Sequence, residues 1–369
     1  MAEQATWGQA LRWALGGWRL SLVIILPAAV VLEALHQHPL AVFAAASLAL
    51  IPLASLLGDA TEELAGHVGP ALGGFLNATL GNATELIIAF LALRSGHVEV
   101  VKASITGSII GNLLLVFGLA VLLGGLGRDK QTFNRTAIGA NTSMLFLAVV
   151  ALVMPAIFDL AVFGRLEETG EVIERLSFWT AAVLLISYFA SLIFTFRTHK
   201  NVFRGEGHHH VPELGRGMAI AVLTVATVLI AVASEILVGQ LEFVTKSMGW
   251  TELFVGLVIV ATVGNAAEHS TAVLVARKDQ MDLSLNIAVG SSTQIALFVA
   301  PLLVVASQLM PSHMSLVFHP LEIAAVIFSV GVVTLVAQDG ETNWFEGLQL
   351  LSVYIILCVF FYFLPPTPK

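Results

Sequence analysis

The sequence predicts an all-α, polytopic membrane protein of about eleven transmembrane helices, built as one helix followed by two inverted five-helix repeats. Three observations predict this class. The composition is strongly apolar, the apolar residues are gathered into windows long enough to cross a bilayer, and one short motif occurs twice. Of the 369 residues, 57% are hydrophobic and only 11% are charged, whereas a soluble domain carries about 25% charged residues.

The apolar windows set the expected number of spans, because about 20 apolar residues in a helix cross the hydrocarbon core. A helix also satisfies its own backbone polar groups within lipid, while a barrel needs strands of about ten residues that alternate in polarity. We therefore expect eleven helices in contact with the lipid bilayer, near residues 18–36, 40–62, 71–93, 103–125, 137–158, 177–196, 217–238, 251–275, 284–309, 319–337 and 345–364.

Basic residues in the loops predict the orientation. Eleven Lys and Arg fall on the side of the N-terminus and six on the other side, where Lys102 is counted. Because cytoplasmic loops are richer in Lys and Arg, we expect a cytoplasmic N-terminus and a C-terminus on the opposite side. The first apolar segment lacks a convincing cleavage site, so we expect a retained helix. The basic residues are sparse and scattered among loops, which argues against a nucleic-acid partner.

The repeated motif reads GNATELIIAFLAL at 81–93 and GNAAEHSTAVLVA at 264–276, and it places Glu85 and Glu268 at equivalent positions. Five expected helices separate these positions, and an odd number makes the second half enter the membrane from the opposite side. Inverted repeats of this kind are typical of transporters that bind their substrate near the midplane. The predicted organisation is residues 1–38 with the first helix, 39–196 as the first repeat, 197–216 as a cytoplasmic linker and 217–369 as the second repeat.

Residues that flank the two motifs also correspond. Glu62 precedes the first motif as Glu235 precedes the second. After the motifs, each half has a Gly-Ser pair followed by an amide, which gives Ser108 and Ser291 as one pair and Asn112 and Gln294 as another. Small and polar residues also serve close helix packing, so for any single serine packing and ligation remain equally good interpretations.

The acidic residues have no basic neighbours in sequence. Residues 20–93 and 247–276 contain no Lys or Arg, so Glu85 and Glu268 must be protonated, hydrated in a cavity or bound to a cation. Carboxylate, amide and carbonyl oxygens without thiolates favour a hard cation such as calcium. Gly81-Asn82 and Gly264-Asn265 precede the acids, and we expect both pairs to loosen the helix and free carbonyl groups for the ion.

These segments, together with KASITGSIIGNLLLVFG at 102–118 and VGSSTQIALFVAP at 289–301, resemble the calcium/proton antiporter (CAX) branch of the calcium/cation antiporter superfamily. The resemblance covers residues 40–364 and implies exchange of Ca²⁺ for H⁺ at one site around Glu85 and Glu268, without a cofactor. It further implies acids along the access path at Glu62 and Glu235, and a site lined by Asn82, Asn265, Ser108, Ser291 and Gln294.

Several alternatives stay open at this point. A sodium/calcium exchanger or an exchanger of another divalent cation such as manganese would share the repeats. An intramembrane hydrolase would have to use Ser291 or Ser292 with His269, but no recognisable triad places a base and an orienting acid. His269 is a packing residue or tunes proton affinity. The linker residues His208, His209 and His210 are a solvated run or a metal sensor, and a homo-oligomer is left open.

Overall fold

The computed structural model describes residues 7–164, 170–199 and 212–365, and these residues are almost entirely helical. The histidine run at 208–210 lies outside the described residues. In chain order the helices are α1 Trp7–Ala14, α2 Gly17–Ala34, α3 Pro39–Val68, α4 Pro70–Leu80, α5 Ala83–Arg94, α6 Val98–Gly125, α7 Arg135–Phe163, α8 Glu171–Thr198, α9 Arg216–Gly239, α10 Leu241–Met248, α11 Glu252–Arg277, α12 Met281–Ser307, α13 Pro320–Val336 and α14 Trp344–Tyr362. Two short strands, β1 Gln131–Thr132 and β2 Glu341–Thr342, pair antiparallel.

The all-α membrane fold is confirmed, and each expected window contains helix. Among the described residues, nine helices are long and apolar enough to span a membrane. The window at 71–93 is instead a pair, α4 and α5, bent by 42° at a short break. The helix in the tenth expected window, α13, is apolar but has only 17 residues. The count of eleven spans therefore stays a prediction, because one window is broken and another is short.

Several of the long helices contain a stretch of π-helix. Gly111–Val116 in α6 and Ile295–Val299 in α12 occupy corresponding positions of the two repeats, just after the Gly-Ser pairs. A third stretch, Val255–Val260, lies in α11 one turn before the second motif. Single turns of π-helix are rare and occur frequently at functional sites. The repeats thus share an irregularity of the backbone as well as residue types.

The described chain packs as two units. The first unit comprises the described part of Met1–Ser95 and Glu206–Trp250, with Val263–Ala267. In it α3 packs lengthwise on α9 and contacts α2 and α4, while α5 also contacts α9. The unit therefore combines helices from both predicted repeats. The predicted boundaries were drawn from the sequence repeats, whereas the two units are defined by which helices pack together. The units therefore do not test the predicted boundaries, which stay a prediction.

The second unit holds the remaining helices around α6, whose residues are largely buried. Glycines let helices approach α6 closely. A Cβ on Gly107 would clash with the backbone of Leu257 in α11, and a Cβ on Gly347 of α14 would clash with the backbone of Leu122 in α6. Small residues at such crossings are the usual means of tight helix packing in lipid.

Contacts between loops follow the alternation of sides that the eleven-helix topology predicts. Within the second unit, loops after the fourth and eighth windows meet through Arg128 and Asp279, whose charged atoms lie 3.5 Å apart. The strand pair β1 and β2 joins the loops after the fourth and tenth windows. The loops expected on the other side meet through His313 and Glu174 at 3.0 Å. These contacts agree with the predicted alternation, and the side that faces the cytoplasm stays a prediction.

The prediction that Lys102 lies in a loop is wrong. It lies in α6, is only 2% exposed, and its amino group is 3.6 Å from Glu99 one turn earlier.

Glu322 is buried in the first turn of α13, where it accepts hydrogen bonds from Thr106 Oγ1 at 2.6 Å and from the His319 amide at 3.0 Å. Glu322 completes a capping box, which is a structural role at a helix start.

Candidate functional site

The first repeated motif begins at a break in the helix. The α-helix α4 ends at Leu80 and α5 begins at Ala83, and Asn82 between them has a non-helical backbone with φ −98° and ψ 22°. The expectation that Gly81-Asn82 loosens the helix is therefore confirmed for this repeat. Glu85 lies in the first turn of α5, where the helix dipole favours negative charge.

The Glu85 side chain points into the first unit. Both of its carboxylate oxygens are buried, and Asn82 is only 1% exposed. Gly264 of the second motif packs against this side chain: a Cβ on Gly264 would lie 3.3 Å from Glu85 Cγ and 3.7 Å from Glu85 Oε1. The absence of a side chain at Gly264 thus leaves the space that the Glu85 carboxylate occupies. Residues of the two motifs meet at this contact.

The second motif does not break its helix, which corrects the expectation for Gly264-Asn265. The α-helical part of α11 runs without interruption from Ala261 to Arg277, and the irregular turn lies upstream at Val255–Val260. A glycine within a helix costs only about 1 kcal/mol relative to alanine, which packing on both sides can offset. Asn265 is 1% exposed, so its side chain is packed within the protein.

Glu268 belongs to a hydrogen-bond network in the second unit. His269 Nε2 lies 3.2 Å from Asn112 Oδ1, and because a carbonyl oxygen only accepts, the ring nitrogen donates. Asn112 Nδ2 donates to Ser291 Oγ at 3.1 Å, and the Ser291 side chain hydrogen-bonds Glu268. The other oxygen, Glu268 Oε2, is buried and has no hydrogen-bond partner among the described residues.

This network joins three helices, α11, α6 and α12, and it contains four residues that the sequence singled out. It supplies hydroxyl and amide oxygens beside one carboxylate, which are ligand types that suit a hard cation. His269 Nε2 is bonded to Asn112, not to Ser291 or Ser292, so the geometry gives no support to a serine nucleophile with a histidine base. Across the described residues, no three or more His, Cys, Asp or Glu side chains converge as a metal cluster.

The remaining predicted residues have different surroundings. Ser108 is buried on α6, and Gln294 is half-buried on α12 just before the π-helical stretch. Glu62 and Glu235 both lie on exposed faces, near the ends of α3 and α9 that their sequence positions give. Exposure is what an acid along an access path requires, and the role itself stays a prediction. Closeness of Glu85 and Glu268 to one another also stays a prediction.

The sequence gives Glu63 no role of its own, only a place beside Glu62 among the acids that have no Lys or Arg nearby. In the structure Glu63 is fully buried and accepts a hydrogen bond from the Leu214 amide at 2.8 Å. The helical period held the signal, since residues 60, 61 and 63 face inward while residue 62 faces outward.

Comparison with known proteins identifies the family. The family model described as sodium/calcium exchanger protein matches residues 38–197 and 218–363, which is most of the chain. The chain belongs to this family. It is 45% identical to the Ca²⁺/H⁺ antiporter of Aphanothece halophytica over 364 residues, which cover 94% of this chain and 97% of that protein.

Two further similarities extend over nearly the whole chain. The Ca²⁺/H⁺ antiporter ChaA of Bacillus subtilis strain 168 is 41% identical over 344 residues, covering 92% of this chain and 96% of the relative. The solved structure of native YfkE superposes with a TM-score of 0.81 at 38% identity, covering 94% of this chain and 99% of that one. The resemblance inferred from the motifs is thereby confirmed.

Proposed function

We propose that this protein is a secondary active antiporter that exchanges Ca²⁺ for H⁺ across a membrane by alternating access. The relatives from Aphanothece halophytica and Bacillus subtilis, which match it nearly end to end, are named Ca²⁺/H⁺ antiporters. Such proteins are transporters and not enzymes. The observation that carries the proposal is the pair of motif acids, of which both carboxylate oxygens of Glu85 and Oε2 of Glu268 are buried among apolar helices. Buried acids within spans are costly and typical of ion pathways.

In this proposal Glu85 and Glu268 bind the same ion. Support comes from the contact of Gly264 with Glu85, since Glu268 follows Gly264 by about one helical turn on α11. Two carboxylates balance the charge of one Ca²⁺. Calcium takes about six to eight oxygen ligands, so neutral oxygens must complete the shell. The Ser291 hydroxyl and the Asn112 amide oxygen are the candidates.

In this proposal the net charge of the ion site couples the movement of Ca²⁺ to that of H⁺. With both acids ionised the site accepts Ca²⁺, and two protons arriving from the other side of the membrane displace it. Either load leaves the site neutral, whereas an empty site with two negative charges is expensive to move through lipid. The empty protein therefore does not change its orientation, and each Ca²⁺ crosses in exchange for two H⁺.

The test uses purified protein in liposomes that contain a pH-sensitive dye and carry an imposed pH gradient. Adding Ca²⁺ is expected to dissipate the gradient without Na⁺, and clamping the membrane potential with valinomycin and K⁺ is expected to leave the rate unchanged. Failure of Ca²⁺ to move protons would contradict the proposal, and a strict requirement for Na⁺ would favour the sodium/calcium alternative. Mn²⁺ in place of Ca²⁺ measures cation preference.

A further inference from the structure

Two side chains at the end of α3 hold the backbone of a single distant residue. Glu63 Oε2 accepts from the Leu214 amide at 2.8 Å, and His67 Nε2 donates to the Leu214 carbonyl oxygen at 2.7 Å. Glu63 and His67 are four positions apart, so they lie on one face of α3. Leu214 lies two residues before α9 begins at Arg216. We call this pair of hydrogen bonds the Leu214 clamp.

The Glu63 half of the clamp is buried. Glu63 is 0% exposed and Leu214 is 3% exposed, whereas the His67 side chain is exposed. A buried backbone amide needs a partner, and a carboxylate is a strong one because its hydrogen bonds are assisted by charge. Removing the Glu63 side chain leaves the buried Leu214 amide unsatisfied, whereas removing the exposed His67 side chain opens the Leu214 carbonyl oxygen to water. The clamp therefore fixes the chain that precedes α9 on α3 mainly through Glu63.

The same end of α3 is held from a second direction. Arg19 Nη1 donates to Asp59 Oδ2 at 2.6 Å, and Arg19 Nη2 donates to the Trp13 carbonyl oxygen at 3.1 Å. Asp59 lies one turn before Glu63. Glu62 therefore lies between two anchored residues, Asp59 and Glu63. The Glu62 side chain itself is exposed.

We propose that the Leu214 clamp positions Glu62 on the ion's access path by fixing the rotation of α3. The inference rests on the proposed function, in which Glu62 lines that path. Successive residues of a helix point about 100° apart, so anchoring Glu63 sets the direction of Glu62. Glu63 and His67 are thus positioning residues that act through Glu62 without contacting the ion.

The experiment compares Glu63→Ala and His67→Ala with Glu63→Gln and His67→Gln in liposomes. Glutamine keeps an oxygen for the Leu214 amide at position 63 and an N–H donor for its carbonyl at position 67. We expect Glu63→Ala to raise the KM for Ca²⁺ about tenfold with a smaller change in kcat, His67→Ala to raise it less because water can replace its exposed hydrogen bond, and the glutamine variants to stay near the unchanged protein. Hydrogen exchange of the Leu214 amide is expected to accelerate in Glu63→Ala only.

Two controls separate the possible failures. Glu242→Ala removes an exposed acid of the same unit, ion-paired to Lys246, and is expected to change neither KM nor exchange. Glu62→Gln is expected to raise KM; if it does not, the role of Glu62 in the proposed function fails and the inference fails with it. If Glu62→Gln raises KM while the alanine variants leave it unchanged, the inference alone is wrong. Equal effects of Glu63→Gln and Glu63→Ala would also overturn it, because charge and not the clamp would then matter.

Discussion

The two copies of the Gly-Asn motif have nearly the same sequence but different backbones. In the first copy the helix breaks at Gly81-Asn82 and restarts at Ala83 with a bend of 42°. In the second copy the helix continues through Gly264-Asn265, and the irregular turn lies at Val255–Val260. Glu85 therefore stands in the first turn of a helix, whereas Glu268 stands in the middle of one.

The difference shows two ways to hold a buried acid. Glu85 lies in the first turn of α5, and its side chain packs against the backbone of Gly264. Glu268 is instead oriented by a hydrogen bond to the Ser291 side chain of α12. Repeats that alternate between two states are expected to be unequal in any one state. Matched substitutions in the two motifs can therefore show which features the acids share and which belong to one copy.

The largest expected effect is from neutralising either acid. Glu85→Gln and Glu268→Gln are each expected to lower the rate of Ca²⁺-driven proton release by about two orders of magnitude, because each removes half of the charge that balances Ca²⁺. Initial rates in liposomes measure this. Glu242→Gln, an exposed acid on α10, is the control and should be silent. Normal exchange by either motif variant would show that the two acids do not act together.

Some of this site was predictable because charge and hydropathy are written directly in the sequence. Glu85 and Glu268 stand out as acids in apolar windows, and their pairing follows from the repeat. The break was predicted correctly at Asn82 and wrongly at Asn265, since glycine and asparagine only weaken a helix and tertiary packing decides whether it opens. The inward direction of Glu63 follows the helical period of α3, but its hydrogen bond to the Leu214 amide joins residues distant in sequence, and no local pattern contains that contact. Lys102 was misplaced because the start of α6 at Val98 precedes the apolar window.

The next effect comes from the contact between motifs. Gly264→Ala places a Cβ 3.3 Å from Glu85 Cγ, which displaces the carboxylate by a few tenths of an ångström. We expect the KM for Ca²⁺ to rise about tenfold, since small misplacements of a binding group are costly. The KM is measured where the variant is fully folded, because the crowded Cβ costs packing energy even though alanine favours a helix by about 1 kcal/mol over glycine.

Gly81→Ala is the matched control for this substitution. Gly81 is exposed and has helical φ −55° and ψ −40°, which alanine adopts without strain. It is expected to leave the KM near that of the unchanged protein. Equal effects of the two substitutions in Ca²⁺ titrations would mean that the glycines act by loosening helices and not by making room for Glu85.

A smaller effect is expected from the hydrogen-bond network of the second motif. Ser291→Ala removes the hydroxyl that bonds Glu268 and accepts from Asn112, and we expect the KM for Ca²⁺ to rise about fivefold. Among the described residues, the hydroxyl of its neighbour Ser292 donates to backbone carbonyls, those of Ala288 at 3.0 Å and Ile109 at 3.4 Å. Ser292→Ala should therefore leave the KM unchanged, and the reverse order of effects in the same titration would contradict the network.

The smallest effect on transport is expected at Glu322, a buried acid of the second half outside both motifs. Its two oxygens accept from different donors, Thr106 on Oε1 and the His319 amide on Oε2. In Glu322→Gln the amide NH₂ must face one of these donors, so we expect the free energy of unfolding to fall by about 2 kcal/mol while the KM for Ca²⁺ stays the same.

Glu346 offers the matched control, because it completes the same kind of capping box at α14 but is only half-buried. Both of its donors, Thr342 and the Asn343 amide, meet one oxygen, Oε2. A glutamine oxygen can replace that oxygen, so Glu346→Gln should lower the unfolding temperature in detergent less than Glu322→Gln does. A rise in the KM for Ca²⁺ in Glu322→Gln at full stability would instead place this buried acid on the ion pathway, and the asymmetry between the halves would then extend beyond the motifs.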